Sequence, residues 1–219
     1  MQTAVLLIAL TVGAVIVLAL LGAQVSQRRA QQLRAAAAEM GFAFRETDGA
    51  LALALQRLPL FGRVHVTGVR NVLHGSAQGL EVLVFDYHYA VQVGHHTQHY
   101  RATLLTFLDR QAEWPTFLLR PRQMSDRVVG LFVGGGALKD DPEFARRYVL
   151  LAPSEETAAG LFTDDVRHFF SEHPGLFANG DGPRLVISRG KLVAADDLRA
   201  FMEEGFQVLN TLHTGGQKT

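Results

Sequence analysis

Between Leu83 and Leu108 apolar and polar positions alternate with a period of two, the pattern of strands packed on one face. One parity reads Leu83, Phe85, Tyr87, Tyr89, Val91 and Val93; the other reads Val84, Asp86, His88, Ala90 and Gln92. The first set predicts a core face and the second a mixed one. The run Thr97–Leu108 returns with Tyr100, Ala102, Leu104, Thr106 and Leu108 on one parity. A two-residue turn at Gly94-His95, glycine first, predicts a type II′ hairpin. It sets Tyr89 against Tyr100, Tyr87 against Ala102, Phe85 against Leu104, His88 against Arg101 and Asp86 against Thr103. A slip of one residue would mix the two faces.

A different pattern opens the chain. Thr3–Ala23 is 21 residues without a charge, enough helix to cross the roughly 30 Å hydrocarbon core of a bilayer. Met1-Gln2-Thr3 lacks the basic start of a signal peptide, the apolar core is too long, and Leu21-Gly22-Ala23 is a poor cleavage site. An uncleaved transmembrane helix over residues 3–23 is therefore expected. Arg28, Arg29 and Arg34 follow it, so the positive-inside rule places the remainder in the cytoplasm. Gln27–Met40 is rich in helix formers and Gly41 is a natural stop, which predicts a helical stalk over residues 24–41. The simplest role for that stalk is a solvated spacer. Leu33 and Met40 are seven apart, too few positions to make a heptad.

The folded domain is expected over 42–213, with a flexible tail at 214–219. Asp48 predicts the cap of a short helix ended by Pro59. Arg63–His74 reads as a strand leading through Gly75–Gly79 into the long hairpin, which makes an antiparallel meander. Thr116–Arg120 and Tyr148–Ala152 predict two more strands. Ser154 caps one helix, a second begins near Thr163, and Pro174 ends it. Leu176–Asn179 and Arg184–Arg189 predict a further hairpin. Leu198, Phe201, Met202, Phe206, Leu209 and Leu212 recur at helical spacing and predict a packed closing helix. Strands grouped together, not alternating with helices, predict an α+β domain on an antiparallel sheet of about five to seven strands. The element order is also compatible with a barrel of the PH type.

Composition removes several function classes. The chain of 219 residues balances 21 basic against 21 acidic side chains, without the basic surplus of a nucleic-acid binder. There is no cysteine, which excludes disulfides, thiolate catalysis and cysteine zinc sites.

Few residues suggest chemistry. His95, His96 and His99 sit at and after the hairpin turn, with His88 diagonal to His99, and imidazoles this close can ligate zinc, copper or nickel. The competing explanation is a polar turn that happens to hold histidines. Asp86, His88 and Arg101 share the mixed face, but no nucleophile accompanies them and cross-strand pairing explains them. Gly134-Gly135-Gly136-Ala137-Leu138-Lys139 lacks the spacing of a phosphate loop, and Asp140-Asp141-Pro142 follows it. Arg28, Arg29 and Arg34 beside the span, with Arg120 and Arg122, are candidate contacts for anionic headgroups or a partner; Arg127 and Arg146-Arg147 add to the same class. No motif calls for a cofactor.

At Asn71-Val72-Leu73-His74-Gly75, Val84-Phe85-Asp86-Tyr87-His88-Tyr89 and Phe117-Leu118-Leu119-Arg120-Pro121 the sequence resembles a group of uncharacterised bacterial single-pass membrane proteins. These carry one N-terminal membrane helix and N-V-L-x-G, F-D-Y-x-Y and L-R-P segments. The resemblance covers most of Gly41–Phe162 and implies no activity. This chain departs from it at the histidine-rich turn and in the Gly134–Asp141 loop, which sets the histidines apart from a shared site. The expected function is a non-catalytic protein- or lipid-interaction domain tethered to the inner membrane. Its partners would be the membrane, a protein or a second copy, and no nucleic acid. The alternative is a membrane-anchored metal-dependent enzyme using His88, His95, His96 and His99.

Overall fold

The computed structural model describes residues 2–56, 65–93, 95–122 and 141–216. Its order is α1 (Gln2–Glu39), β1 (Ala43–Thr47), α2 (Gly49–Gln56), β2 (His65–Ala77), β3 (Leu80–Val93), β4 (His96–Leu108), β5 (Trp114–Pro121), α3 (Pro142–Arg147), β6 (Tyr148–Leu151), α4 (Glu155–Leu161), α5 (Asp164–Glu172), β7 (Phe177–Gly182), β8 (Arg184–Ser188) and α6 (Leu198–Gly216). The class is α+β.

All eight strands join one antiparallel sheet in the order β1-β2-β3-β4-β8-β7-β5-β6. Its edges are β1 and β6, and among the described residues no pairing joins them. Among the described residues the sheet therefore shows no barrel closure. It holds one strand more than the largest number expected. The extra strand is β1, AFRET, a mostly exposed edge strand with no apolar alternation to announce it.

The long hairpin has the expected register. Tyr89 lies opposite Tyr100, Tyr87 opposite Ala102, Phe85 opposite Leu104, His88 opposite Arg101 and Asp86 opposite Thr103. The last pair before the turn is Val93 with His96; Gly94 lies outside the described residues. Local chemistry starts the helices where expected. The Asp48 carboxylate accepts from the Leu51 N–H at 2.9 Å, and the Ser154 hydroxyl accepts from the Thr157 N–H at 3.0 Å.

Each face of the sheet carries a cluster. Leu83, Phe85, Tyr87 and Tyr89 pack with Val66, Val69, Val72, Leu104 and Leu55 of α2. The larger cluster lies on the other face, around Val82, Val84, Leu105 and Phe107. It is covered by the C-terminal half of α1 and by α4, α5 and α6, with Phe162, Phe170, Leu198, Phe201 and Phe206 among its members. The face expected to be mixed therefore holds the main core. Gly205 of α6 is required there, because a Cβ would run into Leu105 and crowd Phe107. Gly75 is likewise fixed by the Phe42 ring, which lies where its Cβ would be.

The stalk is not a solvated spacer. Leu33 and Ala37 are fully buried in the main cluster, with Ala36 and Met40 packed against it. The Phe42 N–H donates to the Ala37 carbonyl at 2.8 Å, turning the chain into β1. The helix that leaves Ala23 is thus part of the domain from about Arg29 onward. Among the described residues no helix is long and apolar enough to cross a membrane. The span expected over Thr3–Ala23 rests in part on side chains at 3–9 and 11, which lie outside those described. Pro59, Arg127, the Gly134-Gly135-Gly136 loop and the last three residues also lie outside them. The first part of the expected tail, 214–216, is the end of α6.

Candidate functional site

The centre of the site is one carboxylate. Asp86 is buried in the middle of β3 on the α1 side of the sheet. Its Oδ2 accepts from Arg29 Nε at 2.7 Å and from Asn71 Nδ2 at 2.8 Å. Its Oδ1 accepts from Arg29 Nη2 at 2.7 Å and from the Thr103 hydroxyl at 3.0 Å. The arginine is therefore bidentate, the strongest form of this pair. Its remaining Nη1 donates to the Val193 carbonyl at 3.0 Å. The Thr103 oxygen, after donating to Asp86, accepts from Arg29 Nη2 and from the Val193 N–H, which uses every valence of the hydroxyl. One knot thus ties α1, β2, β3, β4 and the segment between β8 and α6.

The backbone bends to build this knot. The pairing of β2 with β3 shifts between Arg70 and Leu73, and Asn71 takes a left-handed φ of 51° there. Asparagine tolerates that conformation better than most residues, and its amide reaches the carboxylate. Asn71 and Asp86, taken from two separate sequence segments, meet here.

Beside the knot α1 diverges from the sheet and leaves a cleft of about 990 Å³. Its wall runs along α1 from Gly22 to Arg34, and its floor carries Arg70, His88, His99 and Arg101. Strand pairing puts these floor groups on the knot side, since Arg70 lies opposite Asp86 and Arg101 opposite His88. The acids of the cleft are already engaged. Asp86 holds Arg29, and Glu46 holds Arg34 at 2.7 Å. Arg70 and Arg101 have no carboxylate partner among the described residues, and they are exposed.

His88 records this imbalance. Desolvation by burial lowers its pKa from 6.5, and the Arg101 and Arg70 guanidiniums lower it further, against Asp86, which raises it. The linkage has a definite sign. In the unfolded chain the imidazole takes a proton near pH 6.5, while the folded one resists, so stability is full above pH 6.5 and falls as pH drops through the window below it. Urea unfolding at pH 7.5, 6.5 and 5.5 should show this loss in the native chain and a shallower one in His88→Gln. Identical slopes would separate His88 from the pH response.

The other sequence candidates separate. Alternation puts His88 and His99 on the cleft face and His96 on the opposite one, while His95 occupies the turn. Among the described residues no group of three metal-ligating side chains is placed to hold an ion. Strand alternation thus separates His96 from the other two strand histidines, and His88 and His99 line the cleft. The arginines also part company. Arg28 is exposed on α1, Arg29 is committed to Asp86, and Arg34 pairs with Glu46 while lying over the Phe44 ring at 5.0 Å. Arg120 lies on β5, beyond β8 and β7 from the cleft, and Arg122 follows the end of that strand; Arg122 Nε donates to the Ala145 carbonyl at 2.9 Å.

No family model matches the chain, and no curated protein matches it. A solved structure does. The mycobacterial trehalose monomycolate transport factor A, TtfA, superposes with a TM-score of 0.57 over 86% of this chain and 94% of its own. Identity is 13%, so the likeness is one of fold alone.

Sequence reasoning missed Arg70 and the role of Arg29. Arg70 was hidden because a charged residue in a strand of mixed composition, HVTGVRNVLHGSA, reads as ordinary surface. Arg29 and Asp86 are 57 positions apart, and no local pattern joins them.

Proposed function

We propose that this chain is a non-catalytic, membrane-tethered domain that meets lipid headgroups at the bilayer surface. The observation that carries this reading is the position of the cleft. Its wall includes Gly22 and Ala23, where the uncharged run Thr3–Ala23 ends. From Ala23 to the Arg29 clamp is about 9 Å of helix. The headgroup layer of one leaflet is roughly 5–8 Å deep. With the run in the bilayer, the clamp sets the sheet against that layer and the cleft faces it. The hairpin supports the same geometry. Gly22 and Ala23 flank the cleft with His99 and Arg101, whereas Leu33 and Ala37 pack toward Leu73 and Val82. The hairpin tip therefore leaves the knot on the same side as the apolar run. Gln92–Arg101 contains no acid, and Tyr100 is exposed while stacked on Tyr89 at 5.3 Å. Tyrosine and basic groups suit an interface with anionic lipid. TtfA, named for trehalose monomycolate transport, lends weight to a lipid-facing role. The arginines after the run favour a cytoplasmic domain on the inner membrane.

The test is extraction. In bacterial cells the full chain should stay in the membrane pellet after alkaline carbonate, and a chain lacking residues 3–23 should move to the supernatant. Release of the full chain by carbonate would end this reading.

A further inference from the structure

We infer that the floor of the cleft is a phosphate-binding site, built by Arg70 and Arg101 with His88 and His99, that takes the headgroup of an anionic phospholipid. This deepens the membrane-tethered reading and rests on it for the source of the ligand.

The argument begins with what the cations face. Arg70 and Arg101 are exposed at the cleft floor, so each keeps its hydration and remains open to an arriving anion. In this cleft the pairing is lopsided. Asp86 receives four hydrogen bonds from Arg29, Asn71 and Thr103, so its lone pairs are spent and it cannot serve Arg70, which lies opposite it in the sheet. Glu46 is occupied by Arg34. Two guanidiniums are left on neighbouring strands, either side of β3, with His88 between them. Both depress the His88 pKa, so both project their field onto one place.

Guanidiniums are planar forks that match phosphate oxygens bidentately. An imidazole N–H can add a hydrogen bond to a bound phosphate oxygen. Such a set favours a dianionic or monoanionic phosphate over a zwitterionic headgroup, whose own ammonium would meet the same field. The wall opposite is Gly22, Ala23, Ser26, Gln27 and Ala30 of α1. These lining residues toward the apolar run are uncharged, while Arg34 stands at the far end of the wall, so acyl chains attached to a bound phosphate have a path beside the helix. A free phosphate could satisfy the floor but would leave that path unused.

The experiment uses the full chain in a neutral detergent, titrated with dihexanoyl phosphatidic acid, dihexanoyl phosphatidylcholine and inorganic phosphate. The readouts are the His88 imidazole resonances and the dissociation constant. Phosphatidic acid should shift His88, bind at least 10-fold more tightly than phosphatidylcholine, and weaken as salt rises from 50 to 200 mM. Arg70→Gln with Arg101→Gln should weaken it by 10-fold or more at an unchanged melting temperature. Arg199→Gln, on the exposed face of α6, should leave it alone, and Arg101→Lys should restore part of the affinity of Arg101→Gln. Equal binding of phosphate and phosphatidic acid would support the anion floor and overturn the lipid source. No His88 shift with either anion, or no loss in the double variant, would overturn the site. The carbonate extraction is unaffected by these outcomes, so failure of the site and failure of the tether are told apart.

Discussion

Asp86→Ala should cost about 3–5 kcal/mol of folding stability, the range for removing one partner of a buried ion pair. That is a large fraction of the roughly 5–15 kcal/mol that holds a domain together. The reason is the accounting at the knot. The carboxylate is the shared acceptor for Arg29, Asn71 and Thr103, and alanine would leave a guanidinium and a carboxamide with no acceptor near them. Arg29 has a side-chain exposure of 19%, so water can reach it in part, which sets the lower end of the range. Asp86→Asn should be nearly as harmful despite its shape, since its amide would point donors at donors. Replacing both partners, Arg29→Leu with Asp86→Leu, should recover much of the loss, because apolar groups of similar volume remove the unpaired charge. Urea unfolding of the native chain, Arg29→Leu, Asp86→Leu and the double variant in detergent gives the coupling energy directly, and it should exceed about 1 kcal/mol. Additive losses would mean that the two side chains do not depend on each other. Hydrogen exchange adds a location: protection should fall first in α1 between Ala30 and Ala37.

Much of the sheet was legible because its evidence is local. Alternation from Leu83 onward, a glycine at the turn and opposed apolar pairs fixed a register that the structure repeats pair for pair. Asp48 and Ser154 announced their helices by cap chemistry within three residues. The limits were set by distance and by two-sidedness. Period-two alternation says which parity is more apolar, yet both faces of β3 are buried. Val84 and Asp86 look mixed beside Phe85 and Tyr87 until α1, whose Arg29 lies 57 positions upstream of Asp86, is laid over them. That helix hid its own purpose. Leu33, Ala36, Ala37 and Met40 stand at spacings of three, four and seven, a packing stripe, but two of the four are alanine among other alanines, and the stripe carries little apolar weight. The cleft was illegible for the same reason. Arg70, Arg101 and two histidines come from three strands, and only register brings them to one floor.

Two shortened chains should behave oppositely, although they differ by only 17 residues. The chain beginning at Gln24 should fold, and the chain beginning at Gly41 should not. Sequence boundaries alone favour the second, since the stalk was expected over 24–41 and the first strand begins at Ala43. The packing argues otherwise. Starting at Gly41 deletes Leu33, which is 2% exposed, and Ala37, at 0%, and opens the main core to water over Leu73, Val82 and Val84. Losing a buried leucine costs about 2–5 kcal/mol. Stranding Asp86 without Arg29 costs about 3–5 more. Together these approach or exceed the whole stability of a domain. The chain from Gln24 keeps Arg29, Leu33 and Ala37, and drops only residues that touch the cleft mouth or lie beyond it. Its amide spectrum should be dispersed and its urea transition cooperative, while the chain from Gly41 should show a collapsed spectrum or precipitate. Equal melting temperatures for the two would mean that α1 is an ornament on a self-sufficient sheet. The predicted difference would mean instead that α1 and the core are one object, with an unbroken helix over Gln2–Glu39 clamped to Asp86 by the bidentate Arg29.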